Sequence, residues 1–229
     1  MIRAASLLAC LAAPAAAQAP KTFALPEGCD AFLTVQSRSC TVDHHFTCEG
    51  EPEGVKRRVS LDEDGVTYVG STDAETQWLT SYHALTDQSE RLEDEPEDRA
   101  SLSELLQSGV DTYDFRTLSD AAGATRYMGY DRLTGQTVTI DDVTLQETEY
   151  QITAFAPDGT ELWSSGGNEF VSERWRVFFG GVSTITVPGE SFDEDSSPVE
   201  FIYPGEPGFL SANPKYDCGA TMSSLETLR

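Results

Sequence analysis

The densest group of potentially reactive side chains in this sequence is Cys40-Thr41-Val42-Asp43-His44-His45-Phe46-Thr47-Cys48. Two thiols and two imidazoles so close together are the donor types of a tetrahedral zinc site. The segment alternates as a β-strand does, however, and adjacent strand residues point to opposite faces, so His44 and His45 cannot converge on one ion. Cysteines joined in disulfides cannot ligate either. No metal is expected here; His44 is expected to pack beside Leu33 with a hydrogen bond, and His45 to face water. Two acidic runs, Asp62-Glu63-Asp64 and Asp193-Glu194-Asp195-Ser196, offer the oxygens that Ca²⁺ prefers. In the second, Pro198 stands where an EF-hand loop requires Gly and Pro204 where it requires Glu. Both runs read as solvated turns, and no cofactor is implied.

Glu147 and Glu149 share one strand face, about 7 Å apart. Paired carboxylates can cleave glycosides, but on a strand bordered by polar residues these two read as exposed acids. The sequence has three histidines and no Gly-x-Ser-x-Gly, Ser-x-x-Lys, His-Glu-x-x-His, P-loop or Gly-x-Gly-x-x-Gly motif, so no catalytic residue is assigned. The remaining chemistry is aromatic. Trp78, Tyr82, Phe115, Tyr127, Trp175 and Phe179, with Tyr150, Trp163 and Phe178 as neighbours, are the candidates to line an apolar ligand pocket; the alternative is that they fill the core of a β protein.

The elements that would position these residues belong to an exported chain. Met1-Ile2-Arg3, the apolar stretch 4–13 and Pro14-Ala15-Ala16-Ala17-Gln18-Ala19-Pro20 follow the order of a secretory leader, cut after Ala17 or, alternatively, after Ala19. Residues 1–17 are therefore read as leader and 18–229 as one β-rich domain in the periplasm or outside the cell. Cys10 comes too early for a lipidated cysteine. No later stretch approaches the ~20 apolar residues of a membrane span. With 15 basic against 39 acidic residues and a formal net charge of −24, the chain repels phosphate backbones and anionic headgroups. Nucleic acid is excluded as a partner; an apolar small molecule or an envelope protein is compatible.

Four cysteines follow the leader, Cys29, Cys40, Cys48 and Cys218, and an even number in an exported chain implies two disulfides. A strand from Cys40 to Cys48 would hold its ends ~26 Å apart, far beyond the about 4.4–6.8 Å between Cα atoms that a disulfide spans. Pairing 31–37 with 40–47 around Arg38-Ser39 puts Cys29 opposite Cys48, Ala31 opposite Phe46 and Leu33 opposite His44. That register gathers Ala31, Leu33, Val35, Val42, His44 and Phe46 on one face. Cys29–Cys48 and, by elimination, Cys40–Cys218 are predicted.

The rest of the chain is a succession of period-two runs separated by turn residues. Strands are predicted at 55–61, 66–71, 76–85 with Trp78, Thr80, Tyr82 and Ala84 on one face, 88–93, 111–119, 125–131, 136–140, 143–155, 160–165, 168–172 and 174–187. In 143–155 the apolar phase switches, which predicts a bulge near Glu147. Ser101-Leu102-Ser103-Glu104 is a capping box, and Gly109 is placed to end the one helix, 101–108. Segment 188–229 contains Pro188, Pro198, Pro204, Pro207 and Pro214, a density that predicts irregular structure sealing an edge of the sheet. The fold class is mainly β: an antiparallel meander curved into a half-barrel or barrel, with the helix 101–108 packed on it and two disulfides. In architecture alone it resembles the half-open antiparallel barrels of periplasmic lipoprotein carriers. The functional expectation is a non-catalytic binding protein; the alternatives are an interaction protein without a pocket, and a hydrolase without a recognisable motif.

Overall fold

In the computed structural model, which describes residues 21–219, within the first twelve strands each pairs with the next in sequence, mostly through short turns; between the sixth and seventh, residues 93–109 intervene and carry the helix. The predicted leader and its cleavage point lie outside the described residues. The strands are β1 (Cys29–Ser37), β2 (Thr41–Cys48), β3 (Lys56–Leu61), β4 (Val66–Thr72), β5 (Trp78–His83), β6 (Gln88–Leu92), β7 (Val110–Ser119), β8 (Gly123–Ile140), β9 (Val143–Phe155), β10 (Glu161–Ser172), β11 (Val177–Val187), β12 (Glu190–Asp195) and β13 (Pro198–Ile202). They form one antiparallel sheet in the order β12 through β1, then β13. Turn chemistry sets these connections. Asp141 and Asp142 both take left-handed angles (φ 47° and 61°), as a two-residue hairpin between Ile140 and Val143 requires.

The two edge strands are consecutive in the chain. Only Ser196 and Ser197 separate β12 from β13, which pairs with β1 at the opposite edge. The sheet must therefore curl until its edges are neighbours. Ser196 N–H donates to Gly181 O and Arg38 N–H donates to Ser197 O across that seam. The ladder does not run between β12 and β13, so the curl is an open barrel rather than a closed one.

The helix α1 (Leu102–Ser108) starts at Ser101, whose Oγ accepts from Glu104 N–H, and ends at Gly109, whose positive φ lets its N–H reach Leu105 O. Leu102 and Leu105 are buried against Val171, with Leu133 and Phe178 alongside. The disulfides are Cys29–Cys48 and Cys40–Cys218.

Several local expectations are corrected. The first hairpin keeps the predicted register at Cys29–Cys48 and Ala31–Phe46, then slips by one residue at Phe32, so that Leu33 lies opposite His45 and Thr34 opposite His44. The slip moves His44 away from Leu33: its Nδ1 is 2.9 Å from Thr34 Oγ1 and its ring stacks on Phe23. His45 is buried rather than wet, against Phe32 and Phe179. The cause is that both faces of this hairpin are covered. Leu33 and Val35 join one core cluster, while Val42 and Phe46 join another roofed by Phe23, Leu25 and Ala212.

The irregularity predicted in β9 at Glu147 lies in its neighbour, where Thr134-Gly135-Gln136 of β8 face that single residue and β8 continues through them as one 18-residue strand. Gly166-Gly167 does not break β10; a Cβ at Gly167 would stand 2.2 Å from Val182 O, so glycine permits β11 to approach. The strand predicted at 174–187 begins at Val177, and Trp175 sits in the preceding turn, where Arg176 has φ 50°. Within 188–229, residues of β12 and β13 are regular after all. Their prolines are placed where no ladder N–H is missed: Pro188 in a turn and Pro198 at a strand's first residue.

Candidate binding face

One aromatic contact identifies the concave side of the sheet. Trp78 on β5 lies 5.3 Å from Tyr127 on β8. These strands are not neighbours, so the two side chains meet across the inside of the curl. Pairing registers then assign the remaining inward positions: Asp43 and His45, Arg58 and Ser60, Tyr68, Glu90, the run Asp111, Tyr113, Phe115 and Thr117, and the run Thr125, Tyr127, Gly129 and Asp131.

One part of this face is an aromatic wall. Trp78 meets Phe115 and Tyr127 edge-on, Phe115 stacks on Tyr127 at 5.4 Å, and Tyr127 lies 6.0 Å from Trp163. Phe115 and Tyr127 are buried, but Trp78 keeps 39% of its surface exposed. Glu90 Oε2 accepts from the hydroxyls of Tyr127 and Thr117, which holds the wall in place. Burial beside Glu90 pushes the Tyr127 hydroxyl well above its usual range. Tyr113 continues the wall from Phe115 over Gly129, where a Cβ would come within 2.8 Å of its ring.

Beyond Tyr113 the lining becomes ionisable. Asp111 and Asp131 are cross-strand partners. Asp111 Oδ2 accepts from Ser101 N–H at 2.8 Å, whereas its Oδ1 has no hydrogen-bond partner although the residue is 3% exposed. Burial raises the Asp111 carboxyl to about 6, with Glu104, Asp98 and Glu75 adding to the effect. Burial also raises Asp131, helped by Asp111, and Glu169, helped by Asp131 and opposed by Arg58. The Arg58 guanidinium lies 4.8 Å from the Tyr68 ring centroid and is kept charged by Asp43, Tyr68 and Glu169 against the cost of burial. Arg58, Asp131 and Glu169 are enclosed deep in the protein, yet each retains water-accessible surface.

The six aromatic residues singled out in the sequence separate into three places. Trp78, Phe115 and Tyr127 come together in the inner wall. Trp175 and Phe179 also meet, but in a packed cluster with Phe201 at the seam. Tyr82 does not join either group: Trp78 and Leu79 form a bulge opposite Thr72, so Tyr82 faces outward beside Val69 and its hydroxyl donates to Asp87. The Cys40–Cys48 segment does not form a ligand cluster, because its cysteines are in separate disulfides. Two outer clefts contain none of the six. One, of about 390 Å³, is lined by Arg116, Arg126, Met128 and Phe155; the other, of about 410 Å³, by Phe23, Phe46, Val59, Val66 and Val69.

Comparison with family models, curated proteins and solved structures finds no match to this chain. The site must be read from its own residues. Arg58, Asp131 and Glu169 were not among the candidates drawn from the sequence. Their signal is positional: Asp111 shares an inward run with Tyr113 and Phe115, and Asp131 shares one with Tyr127. A charge in phase with buried aromatics is costly unless the site uses it.

Proposed function

We propose that this protein is an exported, non-catalytic binding protein that holds a small, largely apolar ligand against the inner face of its curved sheet. The observation that carries this reading is Trp78: two aromatic partners fix its neighbourhood, yet two-fifths of it remains exposed to solvent. An apolar ligand laid there would be desolvated by rings that need not move. Export to the periplasm or beyond is supported by the two disulfides, which persist in oxidising compartments. Titration with the neutral fluorophore N-phenyl-1-naphthylamine tests the reading. Saturable enhancement is expected, weakened about tenfold by Trp78→Ala, given the area a Trp side chain covers. Absence of enhancement, or an unchanged response in the variant, removes it.

A second reading, a hydrolase with Glu169 as proton donor, is favoured by one observation: carboxyls raised above their ordinary range lie on one inner face. It requires turnover of glycoside or ester substrates that Glu169→Gln abolishes.

A further inference from the structure

The inner face has more carboxyl groups than basic partners for them. Arg58 is the cation that acts on Glu169, and among the described residues neither Asp111 nor Asp131 forms an ion pair. Asp111 Oδ1 adds an independent sign of a missing partner: it is buried, accepts no hydrogen bond, and stands across the ladder from Asp131. A buried carboxylate oxygen without a donor is costly, and the deficit is relieved by a donor brought from outside.

A bare metal ion does not fit. A metal needs ligand oxygens gathered around one point. Among the described residues, the only three potential ligands within 4.8 Å of one another are Cys40, Glu63 and Cys218, and two of these are a disulfide. The inner carboxyls are more widely spread, so the partner must carry its hydrogens outward on several sides, as an ammonium group does.

The aromatic wall gives that partner a body. Asp131 and Tyr127 are both inward residues of β8, four positions apart, which is about 13 Å along the strand. Tyr113 fills the interval and Trp78 stands at the far end. We infer that the ligand is an elongated organic cation, a protonated amine whose charged end meets Asp111, Asp131 and Glu169 and whose apolar body lies along Tyr113, Tyr127 and Trp78. This rests on the binding reading above and specifies its ligand class. Aromatic faces favour cations as well as alkyl chains, and the net charge of −24 draws cations toward the protein.

Three ten-carbon probes of matched length test it by isothermal titration calorimetry on the exported protein: decylammonium, decan-1-ol and decanoate. Decylammonium is expected to bind at least about tenfold more tightly than decanol, and decanoate least, because a charge contact inside the protein exceeds one in bulk water. Asp131→Asn and Glu169→Gln should remove the preference for the amine over decanol; Trp78→Ala should weaken all three. Equal binding of amine and alcohol overturns the inference and leaves the apolar-ligand reading intact. No binding of any probe overturns both. A preference that survives both carboxyl variants assigns it to the general negative charge and also overturns the inference.

Discussion

Asp111 and Asp131 stand opposite each other in the β7–β8 ladder, both pointing into the curl and neither with a basic partner among the described residues. Like charges directly across a ladder destabilise a sheet. Here the conflict is relieved by protons: burial and mutual repulsion keep these carboxyls, together with Glu169, neutral to higher pH than an exposed acid.

Stability should therefore decline on the alkaline side. An unfolded carboxyl loses its proton near 4, whereas the folded values are raised, to about 6 for Asp111 and higher for Asp131 and Glu169. The folded state thus binds more protons between these limits, and its advantage is complete at low pH and lost as pH rises through the folded values. Melting temperature measured from pH 6.5 to 9 should fall, and Asp131→Asn should flatten the fall. An identical slope in the variant would contradict the assignment.

The opposite sign holds for two histidines. Burial lowers His44 to about 4 and His45 to about 3, with Arg58 adding to the second. The unfolded chain then binds more protons below about 6.5, so these residues remove stability as pH falls toward their folded values. His45→Phe keeps the ring against Phe179, removes an unpartnered buried Nε2, and should reduce acid sensitivity. Urea unfolding at pH 4 and pH 7 provides the check: the variant should gain more at pH 4.

The disulfides differ in the length of chain they close. Cys40–Cys218 spans 178 residues and Cys29–Cys48 spans 19. Chain entropy alone gives roughly 5 kcal/mol for the first and roughly 3 kcal/mol for the second. Cys40→Ser with Cys218→Ser should therefore cost about 2 kcal/mol more than the matching pair of changes at Cys29 and Cys48, measured by denaturant unfolding. Equal losses would mean that strain or residual denatured structure, rather than loop length, governs both.

Much of this fold was legible because local signals agreed. At Cys29 and Cys48 the alternation of apolar residues and the reach of a disulfide pointed to one register. Ser101, Glu104 and Gly109 marked both helix ends through their own hydrogen bonds. The slip at Phe32 was hidden because alternation reports one buried face, and this hairpin has two. Tyr82 was misplaced for a related reason: the bulge at Trp78-Leu79 changes phase without a Gly or Pro to announce it. The candidate site was half legible. Trp78, Phe115 and Tyr127 were found by type, but the acids beside them were not singled out, since a chain with so many carboxylates gives no cue to which ones turn inward until the pairing is known.

Two glycines on the inner face separate backbone crowding from side-chain crowding. A Cβ at Gly129 would lie 2.2 Å from Gln151 O, a backbone atom of β9 that cannot move without opening the ladder, and 2.8 Å from Tyr113. A Cβ at Gly70 would meet only the Tyr68 ring, its hydroxyl at 2.1 Å, and that ring can swing away. Gly129→Ala should consequently destabilise the fold by several kcal/mol, in the range of overpacked cores or beyond, roughly 3 kcal/mol. Gly70→Ala should cost less but expel Tyr68 from beneath Arg58 and from its contact with His83. The guanidinium would then lose its aromatic neighbour while Glu169 still acts on it. Thermal melts rank the two variants, and the tyrosine ring signals of Tyr68 in the NMR spectrum report its displacement. A Gly70→Ala protein that melts lower than Gly129→Ala would show that Tyr68 is held as rigidly as the ladder itself.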